Sequence, residues 1–382
     1  MAEGPLNGIV IIDMSRVLAG PYCTRLLANL GARVIKIEVP ERGDDARHYG
    51  PFIDNKSVYF TAMNYEKESI ALDLKDTEDK ALLDGLLAHA DVLVENFRPG
   101  VMQRLGYGWN SLHKSHPSLI YCSVSGFGHT GPYQNRPAYD MVVQGMGGIM
   151  SITGHPDGEP TRVGMSIGDI GSGIYAAVGI NAALYERSNS GIGRHIDLSM
   201  LDCQIALVEN AVARYSSTGE IPGPLGARHP SITPFGAFET SDGHIIIAVG
   251  NEHLFVTLCK TIDAPDLLAD DRYRSNEQRT NNETALKTQL NERFRQKTTA
   301  KWLSLLGEAG VPSGPINNID EIVNDPQVAA RNMVVDVNEP GLPGMRVAGN
   351  PIKISGFNDP AEREGAPNLD QNRAELIAEF DL

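Results

Sequence analysis

The stretch Gly8-Ile9-Val10-Ile11-Ile12-Asp13 near the start of the chain decides the fold. Its run of β-branched apolar residues, ended by an acid, is typical of a buried parallel strand. Pro21 stands where the first turn of a helix accepts proline, and residues 22–30 then predict a helix that Gly31 can end. A second strand is predicted at 32–38. Strand, helix and strand in this order predict a Rossmann-like unit.

The same alternation continues through the first half of the chain. Helices are predicted at 81–90 and 170–187, and strands at 91–95 and 119–125. Residues 196–207 predict a strand that runs into a helix. The first half therefore predicts an α/β fold with a parallel sheet.

The character of the sequence changes near residue 215. Residues 216–234 are rich in Gly, Pro and Ser, which indicates a linker or an active-site loop. The segments 235–240 and 244–249 flank Ser241-Asp242-Gly243 and predict a β-hairpin. The tail predicts a short helix at 325–332, a strand at Ile352-Lys353-Ile354 and a closing helix at 373–380.

The composition excludes several classes of protein. The 382 residues suggest two or three domains, and the net charge of -15 argues against a nucleic-acid-binding surface. The four cysteines are far apart, without metal-binding spacing, so we expect reduced thiols and no structural zinc. The N-terminus does not have the pattern of a signal peptide, and we find no uncharged run of about 20 apolar residues. We therefore expect a cytoplasmic protein without a membrane segment.

A dinucleotide-binding interpretation of the first unit is weak. Glu38 ends the second predicted strand, as a ribose-binding acid would. The preceding turn, however, reads Val17-Leu18-Ala19-Gly20-Pro21 and lacks the GxGxxG glycines that let a pyrophosphate approach the backbone. A plain βαβ core element is the better interpretation.

The segment Gly168-Asp169-Ile170-Gly171-Ser172-Gly173 has two interpretations. Taken alone, Asp169 is more typical of a helix N-cap than of a catalyst. The three glycines favour the second interpretation, because they would let a bulky ligand approach the backbone. An aspartate in such a setting can attack an acyl carbon.

Two loops after predicted strands carry further candidates. Asn96-Phe97-Arg98, followed by Arg104, could stack an adenine and contact phosphate, or form an ordinary solvated turn. His129 could be a general base or a solvated loop histidine. Asp140, after Tyr139, could be only a helix cap.

Taken in order, the motifs resemble the class III CoA-transferases. The resemblance rests on 18–21, 34–38, 69–75, 94–100, 125–128, Gly168-Asp169, 193–200 and 312–315. It implies a large Rossmann-like domain formed by both chain ends, 1–220 and 330–382, and a small inserted α+β domain at 225–330. It also implies two subunits interlocked like linked rings, and no metal or redox cofactor; coenzyme A is a substrate.

The resemblance implies that CoA moves from an acyl-CoA to a carboxylic acid through Asp169. This residue would form a mixed anhydride with the acyl group and then an aspartyl-CoA thioester. The other implied substrate-binding residues are Arg16, Val17, Leu18, Ala19, Leu72, Asp73, Leu74, Lys75, Asn96, Phe97, Arg98, Arg104, Ala138 and Tyr139. Arg42 would replace the arginine that relatives have where this chain has Val39.

The acceptor acid is suggested by a departure from the family pattern. The formyl-CoA branch carries a run of four glycines where this chain has Gly226-Ala227-Arg228-His229-Pro230. Arg228 and His229 could pair with the second carboxylate of a dicarboxylic acid, with succinyl-CoA as donor, or could be polar linker residues.

Two other functions compete with transfer. Alpha-methylacyl-CoA racemases of the same superfamily place a His-Asp pair where this chain has Tyr139-Asp140. Asp169 alone cannot carry out two-base proton exchange, which favours the transferase. A non-catalytic acyl-CoA binder is the other alternative.

Overall fold

The computed structural model describes residues 4–382. Within that range the strands are β1 (Val10–Asp13), β2 (Arg33–Glu38), β3 (Phe52–Ile53), β4 (Lys56–Ser57), β5 (Glu68–Ala71), β6 (Val92–Glu95), β7 (Ile120–Ser125), β8 (His195–Ser199), β9 (Phe235–Glu239), β10 (His244–Ala248), β11 (Ser313–Pro315), β12 (Val334–Asn338), β13 (Arg346–Ala348) and β14 (Glu362–Glu364).

The helices of the same range are α1 (Ala19–Ala28), α2 (Val58–Asn64), α3 (Thr77–Ala88), α4 (Val101–Leu105), α5 (Trp109–Ser115), α6 (Asp140–Met146), α7 (Ile149–Ile152), α8 (Ile167–Ser190), α9 (Met200–Leu207), α10 (Glu209–Thr218), α11 (Glu252–Thr261), α12 (Pro265–Ala269), α13 (Asn276–Asn281), α14 (Glu283–Phe294), α15 (Thr299–Glu308), α16 (Ile319–Val323), α17 (Pro326–Ala330) and α18 (Arg373–Phe380). Short 3-10 turns lie at Asp45–His48 and Asp271–Tyr273.

Six parallel strands form the main sheet, in the order β5-β2-β1-β6-β7-β8. Numbered among themselves, the six strands have the order 3-2-1-4-5-6, which is that of a doubly wound sheet. The chain adds the first three strands on one side of β1 and the last three on the other, so the strand order reverses between β1 and β6. The α/β prediction with a parallel sheet is confirmed. Ligands of such sheets bind at the carboxyl ends of the strands, next to the point of reversal.

Alternating side chains of the strands supply a core on each face of the sheet. Ile11 and Val92 pack on one face with residues of α1 and α8. Their neighbours Ile12 and Leu93 pack on the other face with residues of α3, α4, α5 and α18. Because both faces are covered, the central strands β1 and β6 are apolar up to the acid that ends each of them.

The longest helix, α8, packs closely against α1. A Cβ atom on Gly173 would lie 2.8 Å from the Ala19 carbonyl oxygen, so only glycine permits this approach. Among the described residues, α8 is the one helix long and apolar enough to cross a membrane, with 44% of its apolar window buried inside the protein. A core helix has the same length and composition, so this feature alone does not indicate a membrane span.

The chain forms two compact units. The large unit comprises the described residues up to Met150, Arg162–Ile221 and Pro326–Leu382, and the small unit comprises Ser151–Thr161 and Pro222–Asp325. The small unit contains the antiparallel sheet β11-β10-β9 and its own apolar core around Trp302. The sequence-based division does not separate Ser151–Thr161 from the large domain.

The tail differs from its prediction. Residues 352–354 do not form a strand, so that prediction is wrong. The Asn350 side chain accepts a hydrogen bond from the Ile352 backbone N–H, at 3.0 Å, and this local bond takes a donor that a sheet would need. The tail instead forms β13-β12-β14, followed by the predicted closing helix α18.

Candidate active site

A cavity of about 600 Å³ lies at the carboxyl ends of four parallel strands. Its wall includes residues 14–16 after β1, 39–41 after β2, 72–75 after β5, and Phe97 after β6. Of the predicted substrate-binding residues, the cavity brings together Arg16, Leu72, Asp73, Leu74, Lys75 and Phe97. Its volume is that of a site for a small-molecule ligand.

The turn after β1 is strained and is held by the side chains of Asp44 and Asn96, from two other segments. Val17 has φ 65°, which is rare for a β-branched residue. Its N–H donates to Asp44, at 3.0 and 3.2 Å from the two carboxylate oxygens. The Arg16 N–H donates to Asn96 Oδ1 and the Arg16 carbonyl accepts from Asn96 Nδ2, both at 2.8 Å. Such over-determined backbone strain is typical of ligand-binding sites.

Buried ion pairs lie directly beneath this turn. Lys36 Nζ is 2.9 Å from Asp44 Oδ2 and donates to the Ser15 carbonyl at 2.8 Å. Lys67 Nζ is 2.9 Å from Asp13 Oδ2. Burial alone would raise the pKa of the Asp13 carboxyl, but Lys67 and Lys36 hold this pKa below its ordinary value. These acids are therefore ionised, paired and committed to the fold.

Asp169 lies in the first turn of α8, the helix packed against α1. The N-cap of α8 is Ser166, so the interpretation of Asp169 as the N-cap is wrong. A Cβ atom on Gly168 would lie 2.7 Å from Val143 Cγ2 and 2.9 Å from Asp140 Oδ1. Glycine at 168 thus lets the backbone before Asp169 approach Asp140.

The electrostatic surroundings of Asp169 differ from those of Asp13. Burial and then the negative charge of Asp140 raise the pKa of the Asp169 carboxyl to about 7. Tyr59 of α2 is close enough to Asp169 to be affected by its charge. Burial, followed by the charge of Asp169, raises the pKa of the Tyr59 phenol to about 12. No sequence pattern pointed to Tyr59, because Tyr59 approaches Asp169 only through the fold.

Asp140 does not cap its own helix. The N-cap of α6 is Tyr139, which is 76% exposed. The Asp140 carboxylate instead accepts a hydrogen bond from the Gly168 N–H, at 2.8 Å from Oδ1. Asp140 therefore satisfies a free N–H at the start of the neighbouring helix α8.

The remaining candidates of the large unit do not line the 600 Å³ cavity. Arg42 forms an ion pair with Asp45 and lines a second cavity, of about 550 Å³. Arg98 lines a third cavity, of about 260 Å³, with His129. Arg104 lies on α4, near Gly100. Leu18 is the N-cap of α1, Ala19 is its first residue, and Ala138 packs where a Cβ on Gly126 would lie.

Arg228 and His229 lie in the small unit, with contacts inside it. His229 donates its backbone N–H to the Phe235 carbonyl at 3.0 Å, and its ring Nδ1 accepts from the Ser231 N–H at 3.0 Å. Arg228 lies beside the same strand, β9, in a small depression with Phe235.

Glu38 is engaged in structural contacts. It is 4% exposed and forms a charge-assisted contact with Arg47 at 2.7 Å. It also accepts from the Ser69 hydroxyl at 2.6 Å and from the Asp44 N–H at 2.9 Å. These contacts occupy the carboxylate that a ribose would need, which disfavours the dinucleotide interpretation. Residues 4–382 contain no group of three or more His, Cys, Asp or Glu side chains that could hold a metal ion.

Comparisons with known proteins agree with this geometry. Residues 6–373 match the family model described as CoA-transferase family III. The chain is 48% identical over 379 residues to an acetyl-CoA:oxalate CoA-transferase of Acetobacter aceti, covering 99% of this chain and 96% of the relative. It is 38% identical over 376 residues to a succinyl-CoA:glutarate CoA-transferase of Mus musculus, covering 98% and 86%. A solved CAIB/BAIF family protein from Brucella suis superposes with a TM-score of 0.87 at 39% identity, covering 99% and 100%.

Proposed function

The chain belongs to CoA-transferase family III, and we propose that Asp169 is the nucleophile of its transfer reaction. The enzyme moves CoA from an acyl-CoA thioester to a carboxylic acid. The observation that supports the role of Asp169 is its position in the first turn of α8, half-buried, with the pKa of its carboxyl raised to about 7. A desolvated carboxylate of raised pKa is a better nucleophile than a solvated one.

The proposed reaction has four steps. The Asp169 carboxylate attacks the thioester carbon and displaces CoA thiolate, which leaves a mixed anhydride. The thiolate attacks the aspartyl carbonyl, releases the donor acid and forms an aspartyl-CoA thioester. The acceptor carboxylate attacks that thioester and expels CoA thiolate again, and the thiolate finally attacks the acceptor's acyl carbon. The products are the new acyl-CoA and free Asp169.

The 600 Å³ cavity is the proposed site for the CoA donor. Arg16 and Lys75 place cationic groups in its wall, beside the acids Glu41 and Asp73. Arg16 stacks over the Phe97 ring at 5.0 Å. The Asn96 side-chain amide makes two hydrogen bonds to the Arg16 backbone, one as acceptor and one as donor. These bonds hold that part of the cavity wall in place before a ligand binds. Coenzyme A is a substrate, and the proposed reaction uses no cofactor.

We propose dicarboxylic acids as acceptors and succinyl-CoA as a donor. The support is that the relatives named for oxalate and for glutarate both act on dicarboxylates. Because one relative is named for oxalate, oxalate should be assayed as an acceptor, although this chain lacks the four-glycine run of the formyl-CoA branch. Arg228 remains the candidate for the second carboxylate. The racemase alternative is disfavoured by Tyr139, which stands where those enzymes have a histidine.

We also propose that the protein is a homodimer with interlocked subunits. Ile174, Val178 and Tyr185 lie on one exposed face of α8, and Val178 and Tyr185 are 62% and 76% exposed. Val212 and Tyr215 of α10 are exposed as well. Apolar surface of this kind indicates a protein partner. Light scattering tests the proposal: a mass near the 41.4 kDa of one chain at micromolar concentration would refute it.

Trapping the intermediate tests the central proposal. The enzyme is mixed with succinyl-CoA, quenched with hydroxylamine and digested, and the peptide that contains Asp169 is examined by mass spectrometry. We expect an aspartyl hydroxamate at residue 169, and none in Asp169→Asn. A hydroxamate on another residue, or rapid turnover by Asp169→Asn, would refute the role of Asp169.

A further inference from the structure

Gln144 lies at the centre of a hydrogen-bond network before the proposed nucleophile. Its side chain is fully buried on α6. The amide Nε2 donates to Asp140 Oδ2 at 2.8 Å and contacts the Met165 carbonyl at 3.4 Å. The amide Oε1 accepts from the Val163 N–H at 3.0 Å. One buried amide thus joins Asp140 to two residues, Val163 and Met165, of one backbone segment.

That segment, residues 163–168, leads directly into Asp169. It has further attachments: the Gly168 N–H donates to Asp140 Oδ1 at 2.8 Å, and Gln204 Nε2 of α9 contacts the Ile167 carbonyl at 3.3 Å. Asp140 is therefore fixed at one oxygen by Gln144 and at the other by the residue next to the nucleophile. A change at Gln144 reaches Asp169 through Asp140 and through the backbone.

We propose that Gln144 is a positioning residue of the CoA-transfer reaction, which orients Asp140 and thereby sets the direction and the charge environment of Asp169. This inference rests on the proposed role of Asp169 as nucleophile. Gln144 is completely buried and bonded at both ends, so it acts through these partners. Misplacing a reacting group by about 1 Å can cost a hundredfold in rate, which gives a buried orienting residue a measurable role.

Among the charged groups around α8, Asp140 is the one whose charge acts on the Asp169 carboxyl. On the packed elements, Arg25 of α1 bonds to the Ala62 carbonyl, Asp197 of β8 accepts from the His129 N–H, and Asp202 of α9 acts on Cys203. Tyr59 of α2 is neutral near pH 7, because its pKa is raised to about 12. Asp140 is the charge that acts on Asp169.

The test compares Gln144→Leu with Gln204→Leu. Both remove a buried amide that holds the segment before Asp169, but only the amide of Gln144 touches Asp140. We expect Gln144→Leu to lower kcat by about ten- to a hundredfold with the KM of both substrates within about threefold. The acid limb of its kcat/KM profile should move to lower pH, because the released Asp140 carboxylate turns away from Asp169. Gln204→Leu should leave the limb at its wild-type position.

A double-mutant cycle identifies the route. Asp140→Asn should move the acid limb to lower pH, and Gln144→Leu should add no further shift in that background. Should Gln144→Leu fail to fold, Gln144→Asn withdraws the amide by one methylene and takes its place. Wild-type kcat, a loss of kcat without a limb shift, or an equal shift in the Asp140→Asn background would each overturn the proposal. Asp169→Ala separates the two ideas. If it stays active, the nucleophile assignment has failed and the role of Gln144 fails with it; if it is inactive while Gln144→Leu behaves like the wild type, only the role of Gln144 fails.

Discussion

Two acids of the large unit, Asp13 and Asp169, have opposite electrostatic surroundings. Asp13 is completely buried beneath the strained turn, with Lys67 at 2.9 Å, and its pKa is held below the ordinary value. Asp169 has Asp140 as its charged neighbour, and its pKa is raised to about 7. Burial acts in the same direction on both, so the neighbouring charge decides the outcome.

The difference separates acids that hold the fold from an acid available for chemistry. The Asp13 carboxylate also accepts from the Thr24 hydroxyl at 2.7 Å and from the Ser15 N–H at 3.0 Å, so its lone pairs are engaged. The Asp169 carboxylate is destabilised as an anion, and in the proposed reaction its attack on a carbonyl carbon would remove that charge. Mutation of the two sites should therefore affect different properties.

The largest expected effect is the loss of transfer in Asp169→Ala. We expect activity to fall by at least about a thousandfold, because the covalent route is removed, while the fold remains. Steady-state assays and circular dichroism measure both. Retention of more than a few per cent of wild-type turnover would show that Asp169 is not the nucleophile.

The second prediction concerns Lys67→Met, which removes the cation in direct contact with Asp13 and leaves Lys36 as its remaining positive neighbour. We expect a loss of about 3–5 kcal/mol in the free energy of unfolding, because the buried carboxylate loses its direct partner. Because the pKa of Asp13 is lowered in the folded state, the deficit should be present above the unfolded pKa of about 3.9 and should diminish below it. Urea unfolding measures it, with the exposed Lys114→Met as control. Equal stabilities of the two variants would contradict the assignment of Asp13 to the fold.

The third prediction concerns Asp169, whose negative charge should lower the free energy of unfolding instead of raising it. An acid whose folded-state pKa is raised costs stability as pH rises above its unfolded value of about 3.9, and the cost is complete above about 7. Asp169→Asn should therefore be more stable than the wild type at pH 8, by about 1–3 kcal/mol, and similar to it near pH 4. Thermal unfolding at the two pH values checks this. A variant less stable at pH 8 would show that the charge of Asp169 is compensated.

The smallest effect is expected at the strained turn. Val17→Gly relieves a left-handed backbone conformation but gives the unfolded chain more freedom, so we expect a gain of at most about 1 kcal/mol. Val39→Gly, whose backbone lies outside the left-handed region, should instead lose about 0.5–1 kcal/mol. Urea unfolding compares the two, and a loss of more than about 1 kcal/mol in Val17→Gly would argue against strain.

The sequence predicted the elements whose periodicity is local. The strand at Val10–Asp13 and the closing helix follow from runs of apolar residues and from turn residues beside them. Periodicity failed at 352–354, where the side chain of Asn350 takes a backbone donor. The site was only partly visible, because Asp44 and Gln144 act on residues 27 and 19 positions away in the sequence. No local pattern encodes such contacts.

The close contact between α8 and α1 has a consequence for motion during turnover. Gly173, one turn after Asp169, lies so near Ala19 that its missing side chain would touch the Ala19 carbonyl oxygen and the Cys23 backbone nitrogen. The start of α1 follows directly on the turn that carries Arg16. Close packing of this kind couples Asp169, the proposed nucleophile, to this wall of the cavity, so we expect the two to move as one unit.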